Sequence, residues 1–135
     1  MKKLLILGIL AGLGGCAAME APPGPPLPAT PVFFQPFSAA LDQAALDSIA
    51  SAAKAANAVP DAPVTVIGAA DSVGSVLANK YLSETRAQVV ADQLAADGVA
   101  QDRLRIHARG IIQPKYEAPG TPVQAARRVL IEVGG

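Results

Sequence analysis

Six prolines, Pro22, Pro23, Pro25, Pro26, Pro28 and Pro31, fall within ten positions. Each fixes φ and removes a backbone donor, so the fifteen residues from Ala17 to Pro31 are excluded from helix and sheet. Such a stretch prefers extended polyproline II, and at about 3.1 Å per residue it reaches roughly 45 Å. It divides the chain into a short apolar start, a semi-rigid spacer, and roughly one hundred residues, enough to bury a core of their own. A Pro-rich recognition motif is the other use of such a segment. A tether is the use that suits a chain held at its far end.

The start of the chain supplies a reason for a tether. Met1-Lys2-Lys3 is basic, and Leu4 to Leu13 is an apolar run of ten residues. That is half of a membrane span and the length of a signal-peptide core. The chain has a single cysteine, Cys16, so no disulfide can form within it. Leu13-Gly14-Gly15-Cys16 resembles the bacterial lipobox, with Gly14 a mild departure. The resemblance implies cleavage before Cys16 and a diacylglyceryl group on its thiol. Residues 1–15 are then a leader and residues 16–31 a lipidated cysteine with its linker. Ala17, in place of Asp, implies by the same resemblance retention at the outer membrane with the domain facing the periplasm. An ordinary secretory leader, cut elsewhere, is the plainer alternative.

Charge and composition narrow the function. Eleven basic and eleven acidic side chains cancel, and loss of Lys2 and Lys3 leaves about −2. Aromatics make up 4% with no Trp, so neither a basic footprint nor a stacking platform for nucleic acid is available. His107 is the one histidine, which with one Cys leaves no metal site of ordinary composition. Ser83, His107 and an Asp lack any nucleophile-elbow or oxyanion motif, so no catalysis is expected. Nothing calls for a cofactor.

Residues 32–135 read as one domain. A strand is expected over Pro31 to Phe37, with Pro36 at its end or edge. Asp42 should cap a helix running to about Asn57, with Leu46, Ile49, Ala50 and Ala53 facing inward. Val64 to Ile67 is a strand closed by Gly68. Ser83 is the expected cap of a second helix, carrying Ala87, Val90, Ala91 and Leu94 and ending at Gly98. Leu104 to Gly110 alternates Leu104, Ile106 and Ala108 against Arg105, His107 and Arg109. A loop over Ile111 to Ala126, with room for a helical turn, leads to a last strand from Val129 to Val133. The order β-α-β-α-β-β indicates an α/β class, more narrowly an α+β sandwich, with a mixed sheet and both helices on one face.

Asp71-Ser-Val-Gly74, Asn79-Lys-Tyr-Leu82-Ser83, Arg86-Ala87 and Val90 stand at fixed offsets within twenty residues. The pattern resembles the OmpA-like peptidoglycan-binding domain, whose signature runs TDxxG, NxxLSxxRA, V. Phe34 and Ser38, Gly110 and Pro114, and Arg127-Arg128-Val129 extend the likeness over residues 32 to 133. The resemblance implies a non-catalytic domain that binds meso-diaminopimelate in the peptidoglycan stem. Its two principal ligand residues correspond to Asp71 and Arg86. The chemistry is reasonable by itself. A zwitterion with an ammonium and a carboxylate on one carbon needs a carboxylate and a guanidinium a few ångströms apart. Arg86, one turn after the Ser83 cap, would face the ligand carboxylate with help from the helix start. Asn79 would serve at the rim or hold the loop. Read without their surroundings, Asp71 and Arg86 would only pair with each other. Arg127 and Arg128 line the binding face or a solvated edge, and Tyr81 and Tyr116 cover the pocket or pack beneath it.

The sequence also departs from the family. GHTD reads Gly68-Ala69-Ala70-Asp71, the acidic residue of FDxxS is Gln35, GxGE reads Ala108-Arg109-Gly110-Ile111, and the Asn of NRRV is Ala126. At about 0.5–1.5 kcal/mol per lost hydrogen bond, retained but weakened binding is expected. The alternative is a family fold that has become an interaction module for an envelope protein partner.

Overall fold

The computed structural model describes residues 27–134. The leader, Cys16 and most of the proline segment lie outside the described residues. The elements are β1 (Thr30–Phe33), α1 (Gln43–Asn57), β2 (Val64–Ala70), α2 (Val76–Ala96), β3 (Leu104–Ile111) and β4 (Arg128–Val133). Short 3-10 turns at Gln101–Arg103 and Gln124–Ala126 precede the last two strands. The sheet order is β1-β4-β2-β3, with β4 antiparallel to both neighbours and β2 parallel to β3. The expected α+β class, mixed sheet and one-sided helices are what the fold contains.

The core follows from small apolar side chains at the right periods. Along α1, Ala45, Ile49, Ala52, Ala53 and Ala56 are buried, one stripe of an alanine-rich and therefore helix-favouring segment. Asp42 caps it by accepting from the Ala45 N–H at 2.8 Å. In β4, Val129, Ile131 and Val133 are buried against the helices, while Arg128, Leu130 and Glu132 face the open side of the sheet. Ala50, expected inside, is exposed.

Gly68 does not close β2, which continues through it to Ala70. A Cβ at Gly68 would lie 2.0 Å from the Ser83 carbonyl oxygen and 3.0 Å from the Ala87 Cβ. Glycine is needed there because α2 lies directly on the strand.

β1 starts inside the proline segment and ends before Phe34. Pro31 is accommodated because β1 is an edge strand, and its missing donor can face away from β4. Beyond the strand, the Phe34 N–H still donates to Arg127 O at 2.9 Å, and the chain turns at Phe37 with φ of 55°.

The second helix begins at Val76, capped by Ser75, whose Oγ accepts from the Ala78 N–H at 3.1 Å; Ser83 is interior. At its other end Gly98 has φ of 101°. Val99 N–H reaches Leu94 O, and Gly98 N–H reaches Ala95 O, a Schellman closure at the expected residue.

Candidate functional site

The buried face of α2 changes character along its length. Ala87, Val90, Ala91 and Leu94 face the core, but before them the same stripe holds Asn79, Ser83 and Arg86. All three bond to backbone groups rather than to other side chains. Asn79 Nδ2 donates to Val73 O at 2.9 Å and so shapes the loop after β2. Ser83 Oγ donates to Lys80 O at 2.7 Å and accepts from the Gly110 N–H at 3.0 Å, tying α2 to the irregular end of β3.

Arg86 is fully buried. Its Nε donates to Ser38 O at 2.8 Å, one Nη to Ala69 O at 3.0 Å and the other to Gln35 O at 3.0 Å. The Phe34 ring lies 5.2 Å from its guanidinium carbon, within cation–π range. Burial pushes the guanidinium down to about 10, opposed by the Asp71 charge and reinforced by Arg127. It therefore stays charged at neutral pH. Because α2 starts at Val76, Arg86 stands in the helix interior, and the helix-start potential expected there falls on the loop before Val76 instead.

Asp71 lies just past β2, 6% exposed, and its partner is Arg127 rather than Arg86. Oδ2 accepts from Arg127 Nη1 at 3.0 Å and from the Val123 N–H at 3.2 Å, and Oδ1 accepts from the Val73 N–H at 3.3 Å. Burial raises the Asp71 carboxyl. The hydrogen bonds from Arg127, Val123 and Val73, with the Arg127 charge, outweigh it and hold the group below its ordinary 3.8. Arg127 Nε also donates to Phe34 O at 3.1 Å.

Three loops therefore meet at the end of the sheet where β1, β2 and β3 finish and β4 begins. Asp71, Asn79 and Arg86 converge there, with Arg127 as a fourth member that spacing alone left open between binding face and strand edge. The bonding is not saturated. Arg86 gives three of its five N–H groups to carbonyls, and Asp71 uses three of about four lone-pair sites. The Gln35–Ser38 loop covers Arg86, so a ligand would reach its guanidinium only with that loop displaced. Tyr81 and Tyr116 are exposed, so neither packs beneath the site. His107 lies exposed with Arg105 and Arg109, away from these loops. Among the described residues no three His, Cys, Asp or Glu side chains are grouped to hold a metal.

Comparison with known proteins gives this architecture a family. The chain is 33% identical over 128 residues to the peptidoglycan-binding protein ArfA of Mycobacterium bovis, covering 84% of this chain and 39% of ArfA. It thus spans well under half the length of that relative. The peptidoglycan-associated lipoprotein of Burkholderia pseudomallei shares the fold, with a TM-score of 0.68 at 20% identity over 76% of this chain and 89% of the other. The OmpA-like domain of FopA1 from Francisella tularensis gives 0.67 at 25% identity, over 78% and 70%. Residues 33–128 match the OmpA family, and the chain belongs to it.

Proposed function

We propose that this domain binds the peptide stem of peptidoglycan, without catalysis, at the loop end of its sheet. The observation that carries the reading is the cluster of buried Asp71 and Arg86 with the partly buried Arg127 in a chain related to a peptidoglycan-binding protein. The free end of meso-diaminopimelate would place its ammonium on Asp71 and, with the Gln35–Ser38 loop lifted, its carboxylate on the Arg86 N–H groups that the loop now holds. Arg127 would lose part of its hold on Asp71 as the ammonium arrives. The expected anchor is the lipidated Cys16, with residues 16–31 as spacer and the outer membrane as its site. The missing His, Thr, Gln35-site carboxylate and Asn leave fewer polar contacts around the ligand, so binding should be weaker than a complete motif would give.

The test is co-sedimentation of the full chain, in mild detergent, with purified sacculi. The parent should pellet, Asp71→Asn should stay in solution, and Arg103→Ala, altered at the opposite end of the sheet, should pellet like the parent. All three must show the same circular dichroism. A folded parent that stays in the supernatant would refute the reading and favour a domain turned to protein partners.

A further inference from the structure

The sheet has two edges, and they are not equivalent. β1 is four residues long with Pro31 inside it, a poor template for another strand. β3 is eight residues long, contains no proline, pairs among the described residues only with β2, and is exposed from Arg105 through Arg109. A strand of that length with one free row of backbone groups is a docking template unless something blocks it.

Its two flanks differ in chemistry. On the helix side, α2 does not fully cover β3, and Ile106 is 41% exposed. A cleft of about 230 Å³ remains there, lined by Ala91, Ala95, Leu104 and Ile106 together with Gln88, Asp92 and Gln101. On the open face of the sheet, strand alternation puts Arg105 and His107 in one row, with the exposed Arg109 following where the register of β3 shifts. We propose that the free edge of β3 accepts an extended segment of another protein whose side chains alternate apolar and acidic. Apolar side chains would enter the cleft, and acidic ones would face Arg105 and Arg109. Asp92 strengthens this choice of sides, since an acidic side chain pointing into the cleft would meet like charge.

The same row disfavours a second copy of this chain as the occupant. Antiparallel pairing of two β3 strands about His107 would set Arg105 opposite Arg109 twice, and like charges directly opposite destabilise a pair. The site lies along β3 and shares no residue with Asp71, Arg86 or Arg127, so it is independent of peptidoglycan binding.

The probe is a capped eight-residue peptide alternating valine and glutamate, titrated onto the full chain in mild detergent. Saturable binding should appear, with slowed hydrogen exchange at the β3 amides not bonded to β2. A peptide alternating valine and lysine should not bind, nor should the glutamate peptide methylated on alternate amide nitrogens. Arg105→Glu with Arg109→Glu should weaken the glutamate peptide by roughly tenfold or more and admit the lysine peptide. These positions are exposed, and unchanged circular dichroism would show that the fold survives the exchange. The proposal is overturned by absence of saturable binding, by binding indifferent to amide methylation, or by failure of the charge exchange to switch the preferred peptide. Self-association of the parent that competes with the peptide would overturn the choice of occupant.

Discussion

Each end of the sheet is held by an arginine that donates to three backbone carbonyls. At one end Arg86 holds Gln35, Ser38 and Ala69; at the other Arg103 holds Ala56, Val59 and Ala62, each contact at 2.9 Å. Carbonyl bonds alone therefore do not mark a binding site, because the molecule uses them twice to fasten loops. The ends differ in what surrounds the guanidinium. Arg103 is half-buried with no carboxylate paired to it among the described residues. Arg86 is completely buried and feels both Asp71 and a second arginine. Burying a guanidinium and a carboxylate beside a second, partly buried arginine is costly, and fastening loops does not require it. That excess is what a ligand site would explain.

Stability measurements can break or sharpen this contrast. The largest effect is expected from Arg86→Ala, which strands buried carbonyls and leaves a void, and should cost about 3–5 kcal/mol in urea unfolding. Asp71→Asn should cost about 2 kcal/mol at neutral pH, since Arg127 loses its charged partner in a site nearly closed to solvent. It should also change the acid limb. The folded carboxyl titrates below 3.8, so its contribution is complete above that value and fades as pH falls through the lower, folded one. A urea midpoint followed from pH 6 downward (about pH 6 to 2, the carboxylate range) should therefore fall less steeply in the Asn variant. Arg103→Ala, with water able to reach the freed carbonyls, should cost about 1–2 kcal/mol. An Arg103 effect equal to that of Arg86 would erase the distinction between the two ends. The smallest change, about 1 kcal/mol, is expected for Asn79→Ala, which frees one loop carbonyl; it should show more clearly as faster amide exchange over residues 71–75.

What could be read in advance was what local chemistry decides. Asp42 caps a helix because its side chain reaches the Ala45 N–H three residues on, and Gly98 ends one because it tolerates positive φ. The motif offsets also brought Asp71, Asn79 and Arg86 to one end of the sheet. The failures share a cause. Ser83 looked like a cap because the buried stripe before Ala87 is polar, so the apolar helical period starts about three turns after the helix does. Gly68 looked like a stop because nothing in its neighbourhood announces a helix from fifteen residues later pressing on it. Arg127 pairs with Asp71 across 56 residues, a separation no local pattern encodes. In β3, alternation predicted a buried face, but α2 covers this edge strand only in part and leaves Ile106 in water.

The placement of β1 has a mechanical consequence. The chain enters the domain at Thr30, and the loop cluster lies beyond Phe33, at the other end of that strand. A load applied ahead of Thr30 and resisted at the loop cluster would pull β1 lengthwise along β4. The register pairs from Thr30↔Ile131 to Phe33↔Arg128 would be sheared together rather than peeled in turn. The Phe34–Arg127 backbone bond and the Arg127 side chain would brace the last of them. Pulled from that end, the domain would yield in one abrupt step at high force, whereas pulled across the sheet it would open strand by strand.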